Sequence, residues 1–247
     1  MQRFKCIISY DGTNFSGYQI QPGARTVQKE IEDVLSRMHK DMHIRITASG
    51  RTDAGVHANG QVIHFDSPME ITPENMKRAL NALLPHDIVV HEVTTVNQDF
   101  HARFSVLRKE YRYKIYIAKD RDVFTRSYMH HIPYELNFDS MQQAMKDIIG
   151  THDFTSFCSA KTAVEDKVRT IYEASLIPTD YGCMLRFVGN GFLYNMVRIL
   201  TGTLIEIGSG KIDPYEMTNM LNKQDRTLAG KTAPAHGLYL WHVEYNN

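Results

Sequence analysis

Little in this sequence points to export, a membrane or a metal. Its 247 residues hold three cysteines, Cys6, Cys158 and Cys183, far apart and in no C-x-x-C spacing. That argues against a disulfide framework and a cysteine metal site, and fits a reducing cytoplasm. The N-terminal Met1-Gln2-Arg3-Phe4-Lys5 runs straight into an alternating strand pattern and lacks the apolar core and cleavage site of a signal peptide. No long apolar run is uninterrupted: residues 192–207 carry Asn195, Arg198 and Glu206, each costly at a bilayer centre. There are twelve histidines but no H-E-x-x-H, and no histidine-cysteine cluster at ligand spacing, so no metal is expected. Adjacent His130 and His131 would point apart on a strand. Phosphate loops fail too. Gly208-Ser209-Gly210-Lys211 and Gly230-Lys231-Thr232 have Ile205 and Asp225 where the upstream glycine should stand, and Asp213 replaces the third glycine of a dinucleotide fingerprint. No nucleotide cofactor is implied.

Net charge is zero, with 28 basic and 28 acidic side chains, yet the charge is unevenly spread. Between His101 and His130 stand eight Lys/Arg (Arg103, Arg108, Lys109, Arg112, Lys114, Lys119, Arg121, Arg126) against Glu110, Asp120 and Asp122. Interleaved with Tyr111, Tyr113 and Tyr116, this segment reads either as a surface that meets phosphates and stacks on bases or as a solvated strand face.

Residues 3–10 alternate as a half-buried strand with Phe4, Cys6, Ile8 and Tyr10 on one side. A helix is expected from about Thr26, with Val27, Ile31, Val34, Leu35 and Met38 on its stripe. Strands at 43–47 and 61–66 follow, joined by a glycine-bearing loop. Thr72-Pro73 opens a second helix carrying Met76, Leu80 and Leu83, and 88–96 is a strand. The second half is similar: strand 108–118, helix 140–149, strands 169–177 and 183–188, helix 192–207, a short helix from Asp213-Pro214, and strand 237–245. Two successive split β-α-β units predict an α+β chain of two ferredoxin-like halves, 1–105 and 106–247, sharing an antiparallel sheet with a central cleft.

The densest cluster of unusual residues is Ala48-Ser49-Gly50-Arg51-Thr52-Asp53-Ala54-Gly55-Val56-His57-Ala58. Gly50 and Gly55 would let the backbone bend on either side of Arg51 and Asp53, presenting a cation and a carboxylate from one connection. On composition alone Asp53 is either that reactive carboxylate or an Asp that stabilises a turn.

Together with Tyr10-Asp11-Gly12-Thr13 and Gln19-x-Gln21, this loop resembles the signature of the tRNA pseudouridine synthase A family. Further blocks follow in the family's order: Phe100-His101-Ala102-Arg103, Lys109-Glu110-Tyr111-Arg112-Tyr113, Gly150-Thr151-His152-Asp153-Phe154, Phe192-Leu193-Tyr194-Asn195-Met196-Val197-Arg198 and Thr232-Ala233-Pro234-Ala235-His236-Gly237-Leu238. They span almost the whole chain. Tyr18 departs from the Trp of many members but keeps an aromatic platform.

The resemblance implies a pseudouridine synthase fold and a cofactor-free isomerase. It would convert uridine to pseudouridine at positions 38 to 40 of the tRNA anticodon stem-loop, in a homodimer with one tRNA touching both subunits. By the same resemblance Asp53 is the nucleophile, Tyr111 the active-site tyrosine and Arg198 the carboxylate's partner. Arg51 helps hold the nucleotide out of the helix, and Leu238 packs against the base. The chemistry is consistent: a uracil inside a stem must be flipped, at a cost of a few kcal/mol. A carboxylate nucleophile must be ionised, which a nearby guanidinium favours. Attack at C1′ and attack at C6 are both open, and the base for the C5 proton is unassigned, with Tyr111 or a water as candidates. From pattern alone Tyr111 reads rather as a core aromatic and Arg198 rather as a snorkelling surface residue, and only the resemblance reverses this. Two other classes use some of the same features: a non-catalytic RNA-binding protein, which has no need of Asp53, and a cofactor-dependent RNA methyltransferase, which lacks its nucleotide loop here.

Overall fold

The computed structural model describes residues 1–160, 162 and 164–246. In chain order its elements are β1 (Gln2–Tyr10), α1 (Val27–Met38), β2 (Thr47–Ala48), β3 (His57–Ser67), α2 (Pro73–Leu83), β4 (Ile88–Val96), β5 (Val106–Ile117), β6 (His130–Ile132), α3 (Phe138–Asp147), β7 (Gly150–Asp153), β8 (Val168–Thr179), β9 (Gly182–Gly189), α4 (Met196–Gly208), α5 (Glu216–Lys223) and β10 (Leu238–Tyr245). They group into two compact units, residues 1–107 with the chain from Tyr239 onward, and residues 108–238. No helix among the described residues is long and apolar enough to cross a membrane.

Alternation builds the first unit. Phe4, Cys6, Ile8 and Tyr10 of β1 are buried, and β1 pairs antiparallel with both β3 and β4. Phe4 lies opposite Phe65, their rings 5.7 Å apart. The two helices start where side chains satisfy their free N–H groups: Thr26 accepts from Lys29 N–H and Thr72 from Asn75 N–H, with Pro73 in the first turn of α2. Their apolar stripes, Val27, Ile31, Val34 and Leu35 on α1 and Met76 and Leu80 on α2, are buried. β10 joins β3 in parallel, Tyr239 opposite His57 and Leu240 opposite Ala58.

In the second unit β5, β9, β8 and β7 pair antiparallel in that order, and β6 adds to β5 in parallel. Tyr113, Phe154, Phe157 and Phe187 are fully buried there, and α4 is buried along most of its length.

The architecture is α+β, but the pairing is mixed rather than wholly antiparallel, because β10 and β6 run parallel to their neighbours. The strand expected at 43–47 shrinks to Thr47–Ala48. Ile44 and Ile46 are buried as predicted, yet Ile46 N–H donates to the Glu32 carboxylate on α1 (3.0 Å), so this backbone is tied to a helix instead of a ladder. Leu83, placed on the α2 stripe, is 44% exposed at the helix end. The helix expected from Phe192 begins at Met196, since Asn195 adopts a left-handed φ of 61°. α3 starts two residues early because Asn137 caps it, accepting from Ser140 N–H at 3.0 Å. His130 and His131 do lie on a strand, β6, and take different partners: His130 faces the rings of Tyr113 and His236, while His131 Nε2 lies 2.7 Å from the Ala118 carbonyl.

The second face of the β1–β3 ladder carries polar pairs at its first two positions. Arg3 lies opposite Asp66 and Lys5 opposite His64. The Arg3 guanidinium grips the Asp66 carboxylate with two nitrogens at 2.8 Å and donates to the carbonyls of Gln98 and Phe100. That grip holds the Asp66 carboxyl below its ordinary range. Next to it, buried His64 accepts the Ala102 N–H on Nδ1 at 3.1 Å, which requires an unprotonated nitrogen. Burial, reinforced by Arg3 and by His101, pushes its pKa down to about 4. As pH falls, the unfolded chain, with histidine near 6.5, takes up this proton before the folded one. The His64 contribution is therefore intact above about pH 6.5 and lost between there and about 4. His64→Gln, which cannot titrate, is expected to lose less stability than the native chain between pH 7.5 and pH 5, read from urea midpoints.

Candidate active site

The loop that carries Asp53 connects β2 to β3, and it is clasped by the segment that follows β1. Tyr18 N–H donates to the Thr52 carbonyl (3.0 Å), Gly55 N–H to the Phe15 carbonyl (3.4 Å), and the Tyr10 and Thr52 hydroxyls lie 2.8 Å apart in the core. A Cβ at Gly12 would run into the carbonyl of Val56, and one at Gly17 would sit 3.0 Å from the carbonyl of Thr52. Gly17 also adopts a φ of +95°. Glycine is required at both for the backbones to approach. Within the loop Asp53 C=O accepts from Val56 N–H (3.1 Å) and Gly55 takes a φ of +76°, closing a tight turn. The bend expected at Gly55 is there. Gly50 takes no left-handed conformation, and its carbonyl is held by a side chain instead.

Two further anchors fix the clasp. His57 Nδ1 accepts the Gly12 N–H at 3.0 Å, and its ring stacks on Tyr239 at 4.7 Å. Asp11 Oδ1 lies 3.2 Å from the same nitrogen. Arg25 binds Asp87 through two nitrogens and lies 4.2 Å over the ring of Phe15. The result is a rigid platform from which Asp53, half-buried, and Arg51, exposed, project.

The residue that sequence reading missed is Gln61. It is fully buried on β3 and its amide ties the loop to the strand: Oε1 accepts from Ser49 Oγ (2.6 Å) and from Val62 N–H of β3 (3.1 Å), and Nε2 donates to the Gly50 carbonyl (2.8 Å). A glutamine at a core-facing position beside Val62 and Ile63 was the available signal, since a buried amide must find partners. Tyr10 and Tyr18 are buried beside the loop, their rings 6.4 Å apart. Burial pushes the Tyr10 hydroxyl up to about 12, and raises that of Tyr18 well above its usual value.

Tyr111, Arg198 and Leu238 belong to the second unit. Tyr111 on β5 is buried, its ring edge-on to Phe192 at 5.0 Å, while its neighbour Tyr113 is wholly enclosed and donates to the Pro234 carbonyl (2.8 Å). Arg198 is no snorkelling side chain. Its Nε donates to the Ala233 carbonyl (2.8 Å), one terminal nitrogen donates to Asn195 Oδ1 (2.9 Å), and its own carbonyl accepts from Ala233 N–H (3.0 Å). The left-handed Asn195 and the 232–238 block therefore aim one guanidinium. Leu238, 5% exposed, follows directly on Gly237, where a Cβ would press 2.7 Å from the Tyr113 ring. An open pocket lined by Thr155, Ser159, Lys167, Gln224 and Arg226 contains none of these residues.

The basic strand is less available than its composition implies. Glu110 accepts from Arg112 (2.6 Å) and Arg186 (3.1 Å), and Arg186 also reaches Glu173 (2.5 Å). Lys114 is half-buried, its pKa lowered by that burial and then by Arg112.

Replacing Gln61 by Leu removes the acceptor for the Ser49 hydroxyl and the donor to the Gly50 carbonyl, and is expected to cost about 1–3 kcal/mol, measured by urea denaturation. The Tyr18 hydroxyl is buried with no hydrogen-bond partner among the described residues. Tyr18→Phe should therefore leave stability unchanged or raise it by about 1 kcal/mol, seen as a higher Tm.

A family model described as tRNA pseudouridine synthase matches residues 6–105 and 144–246. The chain is 60% identical over 246 residues to the tRNA pseudouridine synthase A of Geobacillus kaustophilus, covering 100% of this chain and 95% of that one. It is 57% identical to the namesake of Anoxybacillus flavithermus, over 100% of both chains, and 57% identical to that of Bacillus subtilis, over 99% of this chain and 100% of that one. Among solved structures a Cbf5-Nop10-Gar1 complex aligns at 13% identity over 81% of this chain and 54% of that one, with a TM-score of 0.35, too low to establish a shared fold. The blocks that build the Asp53 platform and those that fix Arg198 both lie inside the matched residues, and on this full-length likeness the chain belongs to the tRNA pseudouridine synthase family.

Proposed function

We propose that this chain isomerises uridine to pseudouridine in tRNA, at positions 38 to 40 of the anticodon stem-loop, with Asp53 as the nucleophile and no cofactor. The observation that carries the reading is the family match over the Asp53 loop and the Arg198 helix together, with relatives named tRNA pseudouridine synthase A at 57–60% identity along the whole chain. The reaction breaks the N1–C1′ bond and forms C5–C1′. The C5 proton leaves, N1 ends protonated, and the composition of the RNA is unchanged.

Each residue contributes in this reading through what holds it. A target base inside a stem must be extruded, losing a few kcal/mol of stacking and pairing. Arg51, exposed beside Asp53, meets the displaced backbone and helps keep the nucleotide out. Asp53 attacks from a turn whose backbone is fixed on both sides, so little ordering remains to be done in the transition state. Arg198 supplies a positive charge for the carboxylate, its direction set by Asn195 and Ala233. Tyr111 offers an aromatic face held by Phe192, and Leu238 an apolar contact to the base. We also read each unit as a ferredoxin-like half. The order β4-β1-β3, with β2 on β3 and helices α1 and α2 between strands, supports this for the first. The chain acts as a homodimer in the cytoplasm, a reading supported by the family resemblance alone.

The test is tritium release from tRNA carrying uridine tritiated at C5, without added cofactor. Native chain is expected to release it, and Asp53→Asn to lower the rate on the order of 10⁴-fold or more while still binding tRNA. Release that survives the substitution assigns the nucleophile elsewhere. Tight tRNA binding by the native chain with no release turns the reading to a non-catalytic RNA-binding protein.

A further inference from the structure

We infer that Phe104, with His101 beneath it and Arg103 beside it, is a stacking platform for an unpaired base of the RNA substrate. The inference rests on the reading that the substrate is RNA. Phe104 is 77% exposed, in the turn between β4 and β5. A single exposed apolar side chain is ordinary on any surface. Phe124, 85% exposed, is an example with no ring partner among the described residues. Phe104 differs in two respects.

The first is its pedestal. The ring stacks on His101 with centroids 4.3 Å apart and planes 26° from parallel. His101 is itself fixed: its Nδ1 lies 3.2 Å from Arg103 N–H and 3.3 Å from Phe104 N–H, and its own N–H donates to Ser105 Oγ (3.0 Å). Below it Ala102 has no exposed surface. Its N–H enters the buried His64 ring, and its carbonyl accepts from Tyr245 (2.6 Å). Arg3 holds the two preceding carbonyls, of Gln98 and Phe100. A turn with this many internal ties presents its aromatic face with little entropy left to lose, which is what a stacking site requires.

The second is charge. The Arg103 guanidinium lies 5.7 Å from the Phe104 ring centroid and Lys5 Nζ 5.8 Å from that of Phe100. Among the described residues neither cation is paired with a carboxylate, whereas Arg3, Arg25, Arg112 and Arg186 all are. Unpaired cations beside the exposed Phe104 ring and the half-buried Phe100 ring match the two surfaces of a single-stranded nucleotide, its phosphate and its π-face.

The experiment measures the Kd of unmodified tRNA transcript for the native chain and for Phe104→Ala, Phe104→Leu and Phe104→Trp, with sedimentation of each protein alone. Phe104 is exposed, so the variants are expected to keep the native Tm. Stacking predicts binding weaker by about tenfold or more in both Ala and Leu variants, and native or tighter in Phe104→Trp. Arg103→Ala should lower the slope of log Kd against log salt by about one. Native binding with Phe104→Ala binding equally well overturns the platform. So does a Leu variant that binds like the native chain, or an Ala variant that sediments as a smaller species, since either makes Phe104 an apolar contact between copies of this chain. A native chain that binds no tRNA defeats the functional reading itself.

Discussion

The close passage of one backbone over another, where the segment after β1 crosses the loop before β3, is the constraint on which the candidate site depends. Side chains are absent at Gly12 and Gly17 because carbonyls of the crossing loop occupy the space where they would stand. That contact allows Tyr18 N–H and Gly55 N–H to close hydrogen bonds across the crossing, and it seats Tyr10 against Thr52. The loop then has few conformations left. A carboxylate on such a loop is held in place by folding, with little backbone freedom left to lose.

Buried polar groups complete the arrangement. Gln61 meets three partners with one amide, and His64 serves as a neutral acceptor because burial and Arg3 together disfavour its charged form. Satisfied networks of this kind specify a single geometry, since every alternative leaves a donor or acceptor unpaired in the core. Tyr18 is the local exception, a hydroxyl without a partner among the described residues.

Charge is distributed by a similar logic. A chain of zero net charge can still meet a polyanion if its cations are unequally compensated. On the β5–β9 surface, carboxylates of Glu110 and Glu173 neutralise Arg112 and Arg186, so the segment richest in basic residues is not where all of its positive charge is free. Arg112, which composition alone marks as a phosphate contact, already has a partner. Lys5 and Arg103 in the first unit lie against aromatic rings instead. Composition counts cations, and only geometry tells which of them are spent.

Periodicity and capping determined much from sequence alone: β1, α1, α2, β4 and β10 appear within a residue or two of where alternation, Thr26, Thr72-Pro73 and the closing aromatic run put them. The spacing of Gly50, Asp53 and Gly55 likewise marked a tight connection there, and the bend is found at Gly55. Tertiary structure decided what depends on partners distant in the chain. It released residues 43–46 from the sheet because Glu32 offers Ile46 a better acceptor, and it started α4 at Met196 because Asn195 turns left-handed. It added β10 to β3 in parallel, a pairing that no local pattern encodes. It made Gln61 the clamp of the Asp53 loop and turned Arg198 from a surface cation into a fixed one. Local sequence carries the period of a face and the chemistry of a cap, because both act over a few residues. Which buried amide meets which carbonyl is settled only when strands far apart in sequence come together and water is excluded.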